Sequence, residues 1–269
     1  MREAILMSSL VASVCGLLSS YLTLKGWALM GDAVSHSVLP GVVLAYALGL
    51  PFSLGAFIFG VGSVALIGFI KQKSRIKEDT VIGLVFTGFF ALGIVLVSKI
   101  RSNKDLTAIL FGSPLGIDFS DITQTVFISI LVVIILLIFR KDLLLYCFDP
   151  RHAKTVGINV LFLHYLLLTC LSLAAVVGLQ SVGIILVVAM LVTPGATAYL
   201  LTDKFDKMVI ISIISSILSS IIGIYFSYWL EINTGGSIVL VQTFIFLFAF
   251  LFAPKYGIFK FKRLSMVSK

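Results

Sequence analysis

Long apolar runs recur through this chain, each close to the ~20 residues that a helix rising about 1.5 Å per residue needs to cross a hydrocarbon layer about 30 Å thick. Their approximate limits are 5–24, 27–50, 51–70, 81–98, 120–139, 160–177, 182–201, 209–230 and 238–253, with short polar links between them. Lipid offers backbone N–H and C=O groups no partner, so each run has to satisfy its own, and the pattern predicts an all-α polytopic membrane protein. The count is about nine transmembrane helices. Eight is the second choice, because the segment from 27 to 50 and the joint at 178–181 admit other readings.

Composition points the same way. Of 269 residues, 59 % are hydrophobic and 12 % charged, and mean hydropathy is +1.16, whereas soluble domains carry about 25 % charge. No small-residue cleavage site follows the first run, so it is expected to stay as an uncleaved span, and residues 1–269 form a single transmembrane domain. Cys15, Cys147 and Cys170 are scattered, without the spacing of a disulfide framework or thiolate metal site.

The net charge of +8, from 20 Lys+Arg against 12 Asp+Glu, lies in the links, so it reports orientation and gives no support to a nucleic-acid partner. The link 71–79, the pair Arg140-Lys141, the stretch 149–157 and the tail with Lys255, Lys260, Lys262, Arg263 and Lys269 all belong in the cytoplasm by the positive-inside tendency. The N-terminus is then outside. Lys99, Arg101 and Lys104 fall on the outer side, against that tendency. Thr107–Leu115 is apolar but too short to cross, and with Gly112 and Pro114 it suits an interfacial or re-entrant piece. Gly83, Gly88 and Gly93 offer small surfaces for helix contact.

Polar groups inside the runs are the candidates for function. Asp32 and His36 stand four residues apart, one helical turn on one face, and both are costly at membrane depth. Carboxylate oxygen and neutral imidazole nitrogen can ligate Zn2+, Mn2+ or Fe2+, and two such ligands suit passage better than storage. The same pair could instead pin two helices by hydrogen bonding. Pro40-Gly41 is expected to interrupt the helix just beyond the pair, and Thr193-Pro194 to bend a later helix and free carbonyls along a pathway or at a packing kink. His164, with no carboxylate or cysteine at ligand spacing, is expected to be structural, and so is His152 in its charged cytoplasmic link. The link from Asp149 to Gly157 has Pro near its start and Gly at its end, the signature of a short helix. Neither a phosphate-binding loop nor a His-Glu-x-x-His site occurs, so any nucleotide must bind another chain.

Several stretches, taken in order, resemble bacterial manganese/zinc/iron ABC-transporter permeases: Gly31-Asp32-Ala33-Val34-Ser35-His36-Ser37-Val38-Leu39-Pro40-Gly41, Lys77-Glu78-Asp79-Thr80-Val81-Ile82-Gly83, Val182 through Pro194, and Gly235-Gly236-Ser237-Ile238-Val239-Leu240. That resemblance implies a non-catalytic permease subunit in the bacterial cell (inner) membrane, with no permanently bound cofactor. It implies pairing with a second permease copy and two cytoplasmic ATPase subunits that bind the ATP. An extracytoplasmic metal-binding protein would deliver the divalent cation. Asp32 and His36 match the metal positions of the family's permeation region, and Pro40, Thr193 and Pro194 would shape the pathway. Residues 149–158 resemble its cytoplasmic coupling element, matching at Asp149, Ala153 and Gly157. Two alternatives stay open: a secondary transporter or channel needing no ATPase, and a permease for a small metal chelate.

Overall fold

A computed structural model describes residues 2–99 and 119–253, and all the regular structure among them is helical. The expected outer link 100–105, the short piece 107–115 and the basic tail after Pro254 lie outside the described residues. Among the described residues twelve helices occur in order: α1 Arg2–Lys25, α2 Ala28–Ser37, α3 Leu39–Leu48, α4 Phe52–Lys73, α5 Glu78–Lys99, α6 Phe119–Ile138, α7 Arg140–Phe148, α8 Pro150–Thr155, α9 Val160–Val182, α10 Ile184–Leu201, α11 Phe205–Leu230 and α12 Thr234–Phe252.

Seven helical segments are long and apolar enough to cross a membrane, with α2 and α3 together forming one of them from Leu29 to Leu48. The pair α6 and α7, bent by 71°, would be an eighth, and α10 is a shorter apolar helix from Leu186 to Leu201. The boundaries follow local chemistry. Asn159 and Asn233 cap α9 and α12 by accepting from the N–H groups of Phe162 and Gly236, both at 3.0 Å. Gly49 ends α3 at φ +67°, in the left-handed region that suits glycine.

Two boundaries differ from the sequence expectation. The break near Pro40 is mild: Val38 keeps helical dihedrals, φ −70° and ψ −26°, and Pro40 sits in the first turn of α3, where a missing N–H is tolerated. The joint expected at 178–181 falls at Gly183, φ +92°, because α9 runs on through Val182.

α1 and α2 are the most buried spans, and the other helices wrap them. One core joins Leu18, Tyr21 and Leu22 of α1 to Met30 and Val34 of α2, Leu167, Leu168 and Leu171 of α9, and Met190 and Leu191 of α10. Lipid does not drive apolar surfaces together, so small residues and hydroxyls set the helix contacts. Ser212 Oγ donates to the Gly16 carbonyl at 2.6 Å, and Ser8 and Ser220 share a 2.6 Å hydrogen bond, tying α11 to α1. Of the three glycines of α5, only Gly93 packs closely among the described residues, against Leu39; Gly83 and Gly88 have no described atom within 4 Å of an added Cβ.

The tightest approach is α3 on α4, where a Cβ on Gly41 would overlap the Gly55 carbonyl and one on Gly55 would overlap the Gly41 carbonyl. Backbone cannot give way as a side-chain tip does. Gly41→Ala is therefore expected to cost about 1–3 kcal/mol or more by overpacking, seen as a sharply lower yield of monodisperse protein by detergent size-exclusion chromatography.

Candidate functional site

α2 is bordered by α1, α3, α4, α5, α9 and α10, so a polar group on it is shielded from lipid on most sides. Asp32 and His36 come together there: Asp32 Oδ1 stands 3.3 Å from His36 Nε2. His36 lies about 10 Å along a span of about 30 Å, roughly a third of the way from its start at Leu29. The side chains are 38 % and 25 % exposed respectively, so the pair opens onto one surface of the protomer. Two aromatic edges hold the imidazole. Phe86 and Phe90 of α5, one turn apart and stacked on each other, each meet the ring at 5.3 Å between centroids. His36 Nδ1 is buried with no hydrogen-bond partner among the described residues.

The neighbouring backbone is adapted to this site. Pro40 has no N–H to give the carbonyl of His36, its partner one turn earlier, and the N–H of Val38 turns to that carbonyl. On the far side Gly31 lets α10 approach, since a Cβ there would meet the Leu191 side chain at 3.2 Å. Three residues on, Pro194 interrupts the ladder of α10, and Ser19 of α1 fills in. The Gly195 N–H donates to Ser19 Oγ at 2.8 Å, and Ser19 Oγ donates to the Val192 carbonyl at 3.3 Å. Thr193 is half-buried, and its carbonyl accepts from Thr197 Oγ1 at 2.8 Å. The Thr193-Pro194 segment thus belongs to the helix that packs on α2, which carries the acidic and imidazole groups, and it is tied to α1.

No group of three or more His, Cys, Asp or Glu side chains that could hold a metal occurs among the described residues of one protomer.

The link from Asp149 forms α8, and the three residues matched there by sequence are its structural corners. Asp149 is the N-cap, accepting from the N–H groups of Arg151 at 2.9 Å and His152 at 3.1 Å. Pro150 occupies the first helical position. Gly157 adopts φ +88°, with its N–H donating to the Lys154 carbonyl at 3.2 Å, and the Ile158 N–H donating to the Ala153 carbonyl at 3.0 Å. That is a Schellman closure. Ala153 is fully buried, whereas Phe148 and Val156 are 80 % and 60 % exposed.

The N–H donors at the cap, His152 first, hold the Asp149 carboxyl below the usual carboxylate range. A folded pKa below the unfolded one stabilises α8 above the ordinary carboxylate pKa and loses that contribution as pH falls through the lowered value. Amide hydrogen exchange at 151–155 should therefore show protection unchanged from pH 8 to 6, once corrected for intrinsic rates, and falling only near or below pH 4.

With the geometry in hand, a family model settles the relationship: that of the ABC 3 transport family matches residues 1–253. The chain belongs to the ABC 3 transport family. It is 56 % identical over 256 residues to "Manganese transport system membrane protein MntB" of Synechocystis, covering 95 % of this chain and 84 % of the relative. It is 45 % identical to "Chelated iron transport system membrane protein YfeD" of Yersinia pestis, over 94 % of this chain and 85 % of the relative. Among solved structures, a chain of PsaBC from Streptococcus pneumoniae in complex with Fab superposes with a TM-score of 0.88 at 41 % identity, covering 97 % of this chain and 94 % of that one. Membership of the ABC 3 transport family and the apolar helical spans make the chain a multi-pass integral protein of the bacterial cell membrane.

Within this ABC 3 family chain, sequence reasoning missed the groups that hold the site residues in place. Phe86 and Phe90 carry a signal, aromatic residues at i and i+4 on one helix face. A second cluster gave less. Lys25 Nζ lies 3.9 Å from the Tyr146 ring centroid and donates to the Tyr146 carbonyl at 3.3 Å, while Tyr146 Oη and His164 Nδ1 stand 2.9 Å apart and Trp27 meets the His164 ring edge-on at 5.2 Å. His164 is the hydrogen-bonded helix contact its surroundings suggested.

Proposed function

We propose that this chain is the permease subunit of an ATP-driven importer of divalent transition metal, with Mn2+, Fe2+ and Zn2+ as the candidate cargo. The carrying observation is the 3.3 Å separation of Asp32 Oδ1 and His36 Nε2. Two ligands each about 2.1 Å from one ion stand about 3.0 Å apart at a right angle and about 3.4 Å apart at the tetrahedral angle, so this spacing is that of a coordination edge. The relatives named for manganese and chelated-iron transport support the same cargo class.

The chemistry suits transit. Asp32 brings charge and an oxygen ligand, and His36 binds metal through a neutral nitrogen. A coordinating imidazole held by a hydrogen bond at its other nitrogen is a stronger ligand, and aromatic edges surround His36 instead. An ion bound weakly enough to leave can be passed on. The exposed face of the pair meets a second permease copy, which doubles the ligands around a central route. Pro40 and Thr193-Pro194 shape that route by interrupting the helix ladder beside it, and nine crossings with an outside N-terminus give the pair its depth.

Two cytoplasmic ATPase subunits bind the nucleotide, and an extracytoplasmic binding protein delivers the metal. Residues 149–158 are the coupling element: Asp149, Ala153 and Gly157 build it, and exposed Phe148 and Val156 face the ATPase. Its route inward is short, because Pro150, Lys154 and Ile158 border the same cavity as Trp27, where α2 begins. In proteoliposomes holding the complete complex and its binding protein, uptake of one labelled metal should require ATP and be inhibited by the other two at controlled free-ion concentrations. Uptake driven by an ion gradient without ATP would overturn the importer reading.

A further inference from the structure

His36 has a second ring nitrogen, away from the Asp32 edge. That atom, Nδ1, is buried and has no hydrogen-bond partner among the described residues. A neutral imidazole carries its one ring proton on one nitrogen and a lone pair on the other, so an ion bound at Nε2 leaves the proton on Nδ1. Metal-ligating histidines almost always give that N–H to a carboxylate, a backbone carbonyl or water, which raises the basicity of the nitrogen on the metal. Here two of the side chains against the ring are Phe86 and Phe90, each 5.3 Å away between centroids, and neither has an acceptor to offer. They form one unit, stacked at 6.0 Å on the face of α5 that packs along α2.

A buried N–H without an acceptor is costly, and that cost falls on the metal-bound form, because the empty site can keep the proton on Nε2, 3.3 Å from Asp32 Oδ1. Which ion loses most follows from ligand preference. Imidazole suits Zn2+ and Fe2+ whereas carboxylate suits Mn2+, and a given site holds Zn2+ above Mn2+ in the Irving–Williams order. Weakening the nitrogen therefore takes more from Zn2+ than from Mn2+. Resting on the metal site proposed above, we propose that Phe86 and Phe90 are positioning residues that set cargo specificity. By denying His36 Nδ1 an acceptor they keep the imidazole a weak ligand, which narrows the gap between Zn2+ and Mn2+ and stops the tighter ion from lodging in the route.

The complete complex, free of nucleotide, tests it, with Mn2+ binding followed by loss of the free-ion electron paramagnetic resonance signal and Zn2+ binding by competition. Phe86→Gln and Phe90→Gln each bring an amide oxygen toward the ring, whereas Phe86→Leu and Phe90→Leu remove the aromatic ring and add no acceptor. In at least one glutamine variant Zn2+ should bind about 10- to 100-fold tighter, the range set by partners of metal-bound histidines, and Mn2+ should tighten by a smaller factor. In proteoliposomes that variant's ATP-driven Mn2+ uptake should be blocked by lower Zn2+ than the wild type's. The leucine variants should bind neither ion more tightly. Tightening separates this role from a purely structural one, because a loosened site binds more weakly. A wild-type complex whose bound Mn2+ shows no nitrogen from His36 would remove the metal site and this inference with it. Where that nitrogen is seen, glutamine variants that bind no tighter, or leucine variants that tighten as much, would overturn this inference alone.

Discussion

His36→Ala and Asp32→Asn will each lower metal uptake by the complete complex at least about tenfold at equal membrane abundance, if the two side chains are the ligands proposed for the ion, because each change removes one of the pair that the described residues bring together. Loss of groups that merely orient a metal ligand already costs about 10- to 100-fold, and in the proposed site these two would touch the ion. The two variants fail differently. Asp32→Asn keeps size and oxygen but removes the charge that compensates a divalent cation in a poorly solvated route. His36→Ala also empties the space between Phe86 and Phe90, so its folding needs separate control by detergent size-exclusion. Uptake that is undiminished in both, with normal abundance, would remove the site.

Gly157→Val should be nearly as damaging for a different reason. At φ +88° a β-branched residue is forced into a backbone region it rarely adopts, at about 1–3 kcal/mol, and the Schellman bonds from Gly157 and Ile158 depend on that conformation. A short helix of six residues has little else to hold its end. If α8 relays movement from the ATPase, a misplaced end should cut metal-stimulated ATP hydrolysis by roughly 5- to 150-fold, the size of a 1–3 kcal/mol coupling. The membrane bundle, which does not rest on Gly157, should stay folded. Gly157→Asn should fall between, since asparagine tolerates positive φ better than valine. Unchanged stimulation in the valine variant would detach α8 from coupling.

The spans were legible in the chain because a membrane leaves few choices: a run of about 20 apolar residues between charged links has to be a helix. Their ends were less so. Pro40 announces a break, yet at the first turn of α3 it needs no N–H, so α2 and α3 follow one course. The joint after α9 moved to Gly183 because Gly178 packs against Val187 within the bundle instead of turning the chain. Gly83 and Gly88 show the converse, small residues with nothing close to them among the described residues.

The candidate site was partly legible. Four-residue spacing put Asp32 beside His36, since helix geometry alone decides it. What surrounds the pair comes from elsewhere in the chain: Phe86 and Phe90 some 50 residues on, and Leu191 more than 150 residues on. The match of Asp149, Ala153 and Gly157 to a coupling element carried information of another kind. Those residues make a cap, a buried contact and a left-handed turn, so they specify the shape of the element, while its neighbours Phe148 and Val156 stay exposed.

The central claim is that Asp32 and His36 hold the ion in transit. Pulsed electron paramagnetic resonance on Mn2+ bound to the purified complex tests it most directly, because a coordinating imidazole nitrogen modulates the manganese echo. The wild-type complex should show that modulation and the His36→Ala complex should lack it. Manganese bound without nitrogen modulation in the wild type, or with modulation that survives the loss of His36, would contradict the account.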